Sequence, residues 1–409
     1  MKQIITAFIS MILLNACSTT SSEVVKQSKL QRDLSPKATE SELQALVTSN
    51  NRFAFSLFEK LDKEDENSFF SPLSVTQALM MSYAGTAGET KQQMRKAMSL
   101  NLADTRVHEV YNKLDLALNN TSENHVVSIA NAIWPSSDFT FEQSYLDTVM
   151  VNYGASLKTL DYLNNPKNST DSINNWVEKK TNSKIKDLIP QGAISQHTKM
   201  VISNATYFKG NWKKEFSQEQ SKKEMFTQFD GTLKESVFMH QSDVFSYFED
   251  GTFQAIKLPY KGNKTSMLVL LPKDDTQALS AEKLNDIQNS FQRYRVTLSL
   301  PKFKFTTNSM KLAQPLKSIG IELAFDSNRA DFSKLSKTGG LYISNIIQKA
   351  FIEVDEKGTE AAAATAVLIG TTGIEEVPQA IMSVDKNFYY LIVDEATQSI
   401  LFLGHMKKI

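Results

Sequence analysis

The chain has 409 residues, of which 41% are hydrophobic and 10% aromatic, enough to bury a substantial core in one large domain or two ordinary ones. Its 45 Lys and Arg balance its 45 Asp and Glu, so no net field recruits nucleic acid or an anionic membrane surface. A single cysteine excludes a disulfide framework.

In chain order the first feature is Lys2 followed by the apolar run 4–14 (IITAFISMILL), a signal-like core too short to span a bilayer. The sequence Leu14-Asn15-Ala16-Cys17 resembles the lipobox of bacterial lipoproteins, although Asn15 is an unusual occupant of its slot. That resemblance implies removal of residues 1–16, a lipid on the Cys17 thiol and tethering to a membrane. Ser18 resembles the sorting position of cargo sent to an outer membrane, so the expected location is the bacterial cell envelope, facing the periplasm or the outside. Residues 17–40, poor in apolar side chains, are expected to form a flexible stalk ahead of a single folded body at 41–409.

Ser41 and Gln44 read as a capping box for a first helix whose apolar face carries Ala54, Leu57, Phe58 and Leu61. Ser71-Pro72 opens a second helix ending near Gly85, and Ile173, Trp176 and Val177 mark a third. Strands follow. The run 267–271 (MLVLL) reads as a strand buried on both faces, and 295–305 alternates with a break at Pro301. Residues 389–393 and 400–403 read as a hairpin. The fold class is therefore α+β, with helices early in the chain packed on large mixed sheets.

No catalytic constellation emerges. None of the five histidines, at 108, 125, 197, 240 and 405, has a second ligand at metal spacing, and no phosphate loop, dinucleotide fingerprint or nucleophile elbow occurs. The acidic run 62–66 (DKEDE) reads as a solvated helix end. No cofactor or metal is expected, and the chain is not expected to be an enzyme.

Five segments, in order, resemble one family, the serpins, over 43–406. They are NSFFSPLSVTQALMMSYAGTAGET (67–90, with Ser71 and Ser74), INNWVEKKTNSKIKDLI (173–189), SNATYFKGNW (203–212, with Asn204 and Trp212), LPK (300–302) and EKGTEAAAATA (356–366). The resemblance implies a monomeric protease inhibitor with an exposed reactive-centre loop at about 356–380. A protease attacks the loop, the cut strand inserts into the main sheet, and the acyl-enzyme is trapped. It also implies that Ser71, Ser74, Asn204, Trp212 and Gln348 lie where that sheet opens, and that Glu356 pairs with Lys302 where insertion begins. Gln348 departs from the family's usual histidine, but glutamine retains a donor for Asn204.

The hinge reads 356–364: Glu356, Lys357, Gly358, Thr359, Glu360, Ala361, Ala362, Ala363 and Ala364. Four successive alanines favour helix in isolation. Small side chains without proline also suit a strand that slips between two others. Alternation places Thr359, Ala361 and Ala363 on the buried face and Glu360 on the solvent face. Seventeen residues from Glu356 places the expected scissile bond at Thr372-Gly373, with Thr371-Thr372 as the alternative. A small threonine suits elastase-like or subtilisin-like proteases, with papain-like cysteine proteases as a second target class. The competing reading is a non-inhibitory, lipid-anchored protein of the same fold that serves binding or adhesion.

Overall fold

A computed structural model describes residues 24–118, 125–275, 277–359 and 377–409. Among the described residues, a nine-stranded and a six-stranded sheet dominate, with helices clustered in the first half of the chain. The expected α+β class is observed.

The six-stranded sheet is built around Met200–Asn211 and Asn345–Asp355, which run parallel from Val201 opposite Asn345 to Tyr207 opposite Phe351. His125–Pro135 pairs antiparallel on the outer side of Met200–Asn211. Phe303–Thr306 and Met310–Lys311 pair with the outer side of Asn345–Asp355. Met200–Asn211 is almost wholly buried, which explains a sequence whose apolar residues do not alternate with polar ones.

Helix Pro72–Tyr83 forms as its sequence predicts: Ser71 is the N-cap, accepting from the Ser74 amide, and Pro72 occupies the first turn, where no amide is needed. Most of its faces are buried, so its apolar residues show no single stripe. Chain beyond it continues into Gly85, where a Cβ would lie 2.7 Å from the Leu335 Cβ. The expected strand at 267–271 is the centre of Thr265–Pro272, buried throughout. Pro301 closes Gln292–Pro301, and the chain then crosses to the other sheet as Phe303–Thr306. Phe388–Asp394 and Ile400–Met406 form the expected hairpin.

Three expectations are corrected. Helix Glu40–Leu61 is capped by Thr39 with Glu42, not by Ser41 with Gln44. The Thr39 hydroxyl accepts from the Glu42 amide, and the Glu42 carboxylate accepts from the Thr39 amide. Residues 24–40 are not a stalk. Val24–Lys26 pairs antiparallel with Leu157–Thr159, Ser28 donates to Asp147, and Arg32 pairs with Asp115 and donates to Asn112. Specific polar contacts hold this segment where apolar burial is scarce. Asp62 is not solvated: its carboxylate accepts from Ser68 at 2.6 Å and from Lys407 at 2.9 Å, and lies 2.9 Å from His405 Nδ1. The signal segment and Cys17, within residues 1–23, lie outside the described residues.

Candidate functional site

The two central strands stay paired only up to Phe351 and Tyr207. Above that point the chain reverses at Glu356-Lys357, and Gly358–Thr359 enters the gap between them. Gly358 pairs with Asp355 on one side and Asn211 on the other; Thr359 pairs with Val354 and Gly210. Gly358 is demanded by this close approach: a Cβ there would lie 2.1 Å from the Gly210 carbonyl oxygen, and its φ of +155° is one that L side chains rarely adopt. The expected exposed loop is thus corrected at its start, because Glu356, Gly358 and Thr359 are buried. It is also corrected at its end, because Gln379–Ser383 is a strand parallel to Gln292–Pro301. Glu360, Ala361, Ala362, Ala363, Ala364, Thr371, Thr372 and Gly373 lie outside the described residues.

Thr359 faces inward as alternation predicts, and its hydroxyl lies 2.7 Å from that of Tyr260. Burial pushes the Tyr260 phenol well up, so it stays protonated and available for this bond. Tyr260 stacks on Trp212 with ring centroids 4.6 Å apart and planes at 10°. Trp212 in turn donates its indole N–H to Asp355 O and its amide to Lys357 O, both at 2.9 Å. The Phe216 amide donates to Glu356 O at 2.8 Å. The segment 212–216 therefore grips the hinge base through its backbone.

Lys302 Nζ lies 2.7 Å from Glu356 Oε2, and Ser221 donates to Glu356 Oε1 at 2.7 Å. The Glu356 side chain is 4% exposed and the Lys302 side chain 36%. Burial alone would raise the Glu356 carboxyl, but the bonds from Lys302 and Ser221 outweigh it and hold the group below its ordinary range.

Lower in the sheet, Asn131, Asn204 and Gln348 fall in one row across three strands. Gln348 Nε2 donates to Asn204 Oδ1 at 2.7 Å and to Ser71 O at 3.1 Å. Ser71 Oγ donates to Leu401 O at 2.7 Å, tying this cluster to the second sheet. Ser74 Oγ donates to Asn131 Oδ1, and Asn131 Nδ2 returns a bond to Ser74 O, each at 2.9 Å. Asn204 Nδ2 and Gln348 Oε1 are buried with no partner among the described residues.

Ser71, Ser74, Asn204 and Gln348 thus meet in one cluster, while Trp212, Lys302 and Glu356 meet in another nearer the hinge. Sequence reasoning does not single out Asn131 or Tyr260. The signal for Asn131 is a lone amide inside the apolar run IANAIW; Tyr260 carries none beyond its aromatic ring.

A profile of the family described as "Serpin (serine protease inhibitor)" matches residues 48–409. The chain is 36% identical over 375 residues to an uncharacterised serpin-like protein of Methanosarcina acetivorans, covering 88% of this chain and 86% of that one. It is 33% identical over 378 residues to the leukocyte elastase inhibitor of Homo sapiens, covering 88% and 99%. Its structure resembles that of the thermophilic serpin tengpin in the native state, with a TM-score of 0.85, 28% identity and coverage of 95% and 100%. On the profile match and these identities, the chain belongs to the serpin family.

Proposed function

We propose that this serpin inhibits serine proteases as a suicide substrate. The protease acylates itself on the loop, the severed strand inserts beside Gly358–Thr359, and the linked enzyme is carried along and distorted before it deacylates. The observation that carries this reading is the two-residue wedge of Gly358 and Thr359 between strands that are otherwise neighbours. The sequence beyond it, EAAAATA, has no bulky residue or proline to stop the same pairing from propagating. Roughly a dozen further residues, each adding about 1 kcal/mol of net ladder bonding, would release on the order of ten kcal/mol. Loop insertion of this kind, a general property of inhibitory serpins, is strand addition within one chain: backbone hydrogen bonds supply the energy and alternate side chains set the register.

The scissile bond we assign is Thr372-Gly373, with Thr371-Thr372 as the neighbour, and the targets are elastase-like or subtilisin-like enzymes with papain-like enzymes second. The similarity to a leukocyte elastase inhibitor supports that class. Cys17 carries the lipid that tethers the monomer to the bacterial envelope, where it shields the cell from foreign proteases.

The test is to incubate the purified chain with elastase-like, subtilisin-like, trypsin-like and papain-like proteases and resolve the products on denaturing gels. A detergent-stable complex is expected with the first two, releasing a C-terminal fragment that begins at Gly373. Clean cleavage without complex or residual inhibition across the panel would refute inhibition and leave the binding or adhesion alternative.

A further inference from the structure

Residues 24–37 (VVKQSKLQRDLSPK) form one strap across the outside of the body. Val24–Lys26 pairs with Leu157–Thr159, and the rest is held against two helices, Asp104–Leu118 and Gln143–Tyr153. Ser28 donates to Asp147, the Asp33 amide to Val151 O and the Lys37 amide to Glu109. While these polar groups engage the helices, apolar ones are left in solvent. Val25, Leu30 and Leu34 are 47%, 52% and 73% exposed, so three of the seven large hydrophobic side chains exposed among the described residues fall within ten consecutive positions. Single exposed apolar residues are ordinary on any surface, but such a concentration marks a contact. Lys26, Lys29 and Lys37 are exposed beside them and paired with no carboxylate among the described residues, and Asp33 is the one acidic residue of the stretch.

The place of this patch in the chain identifies its partner. Seven peptide units, at most about 25 Å when extended, separate Cys17 from Val24, so a lipid on Cys17 keeps the start of the strap next to the membrane. Val24 lies opposite Thr159, whose neighbour Leu160 bridges Ser136 at the end of the six-stranded sheet where Pro135 pairs with Met200. The hinge is at the other end: Gly358 pairs with Asn211, about 36 Å further along the same strand at roughly 3.3 Å per residue. We propose that the strap side of the molecule lies on an anionic lipid surface. Val25, Leu30 and Leu34 sit at the boundary of headgroups and acyl chains, the three lysines sit among the headgroup phosphates, and the hinge end is held out towards solvent. Apolar burial and attraction to anionic headgroups add in such a segment. The lipid on Cys17 supplies the anchoring; the strap sets which way the body faces. The proposal rests on the lipid-anchor reading of Cys17.

The chain from Cys17 onward can be coupled through that thiol, the only one in the sequence, to a maleimide lipid in vesicles of phosphatidylethanolamine and phosphatidylglycerol with brominated acyl chains. The coupling supplies the anchor chemically, so docking is read whether or not a cell lipidates Cys17; mass spectrometry of the N-terminal peptide from native membranes tests that reading separately. Leu30→Trp should lose about half of its added emission to the bromines, as befits a side chain at the headgroup–acyl boundary. Lys213→Trp, exposed beside the hinge, should lose none. Adding Lys26→Gln and Lys29→Gln to Leu30→Trp should reduce the quenching several-fold. Unchanged urea midpoints show that the variants fold. An unquenched Leu30→Trp, equal quenching at both positions, or quenching indifferent to the two lysines would overturn the proposal. So would a blue shift of Leu30→Trp emission that follows protein concentration without vesicles, which assigns the patch to a second copy of the chain.

Discussion

The Glu356 carboxylate sits 2.7 Å from the Lys302 ammonium, and the two are unequally buried, at 4% and 36% side-chain exposure. That asymmetry predicts unequal mutants. Lys302→Ala strands a buried carboxylate with no cation, satisfied only by Ser221 and the Glu356 amide, costing about 2 kcal/mol after allowance for the partial exposure of the lysine. Glu356→Gln leaves a lysine that reaches solvent, and costs less. Urea unfolding midpoints of the two variants check the order.

The same pair sets an acid response. A carboxyl held below its ordinary range contributes stability that is complete above that range and is lost as pH falls through the lowered value. Acidification should therefore loosen the hinge base before the whole protein unfolds. Emission from Trp212, whose indole N–H donates to Asp355 O, should change in that window. Lys302→Ala should move the change to higher pH, since it removes the partner that lowers the carboxyl.

Gly358→Val should expel the wedge. Its side chain would enter space held by the Gly210 carbonyl, with the nearest approach of even a Cβ at 2.1 Å, and backbone atoms cannot yield as a flexible side chain would. A loss of about 2 kcal/mol or more is expected, read as a lower urea midpoint, and on the proposed inhibitory mechanism a several-fold rise in the fraction of encounters that end in cleavage rather than complex. Titration of the chain against a fixed amount of an elastase-like enzyme measures that fraction.

Much of this was legible in the sequence, and the exceptions share a cause. Ser71 and Asn204 could be named because each lies in a segment that resembles a family motif, and Gln348 because it stands where the family commonly has a histidine; the register that brings Asn204 and Gln348 together follows from the strands containing them. Thr359 could be faced inward by alternation alone. The packing of 24–40 could not be read, because it rests on single polar contacts such as Arg32 with Asp115, 83 residues apart in sequence, rather than on any periodic apolar face. Asp62 defied its sequence for the same reason: its partners, His405 and Lys407, arrive from the far end of the chain. Composition sees charge as solvated unless the pairing is local.

His108 supplies a second, independent pH dependence. Burial, aided by the nearby Lys91, pushes its imidazole down to about 4, and its Nδ1 lies 2.7 Å from the Tyr153 hydroxyl. The unfolded chain takes up this proton near the ordinary histidine value while the native protein does not, so stability falls as pH drops from about 6.5 towards 4. About 3 kcal/mol is at stake at this one site. His108→Phe should flatten that part of the curve of unfolding free energy against pH, whatever its effect at neutrality.

The segment ahead of the first helix makes the sharpest distinction between a tether and a structural strap. Arg32 pairs with Asp115, a residue only 6% exposed that otherwise accepts one bond, from Gln77 at 2.9 Å. Arg32→Ala leaves that carboxylate under-satisfied in the body of the protein and should cost about 2–3 kcal/mol, read as a lower urea midpoint with an unchanged slope. Asp115→Asn should recover part of the loss in the Arg32→Ala background, because the uncompensated charge is then gone. Deleting residues 18–38 should be at least as damaging, since it also removes the pairing of Val24–Lys26 with Leu157–Thr159. A segment that served only to reach a membrane would tolerate all three changes with no shift of the midpoint.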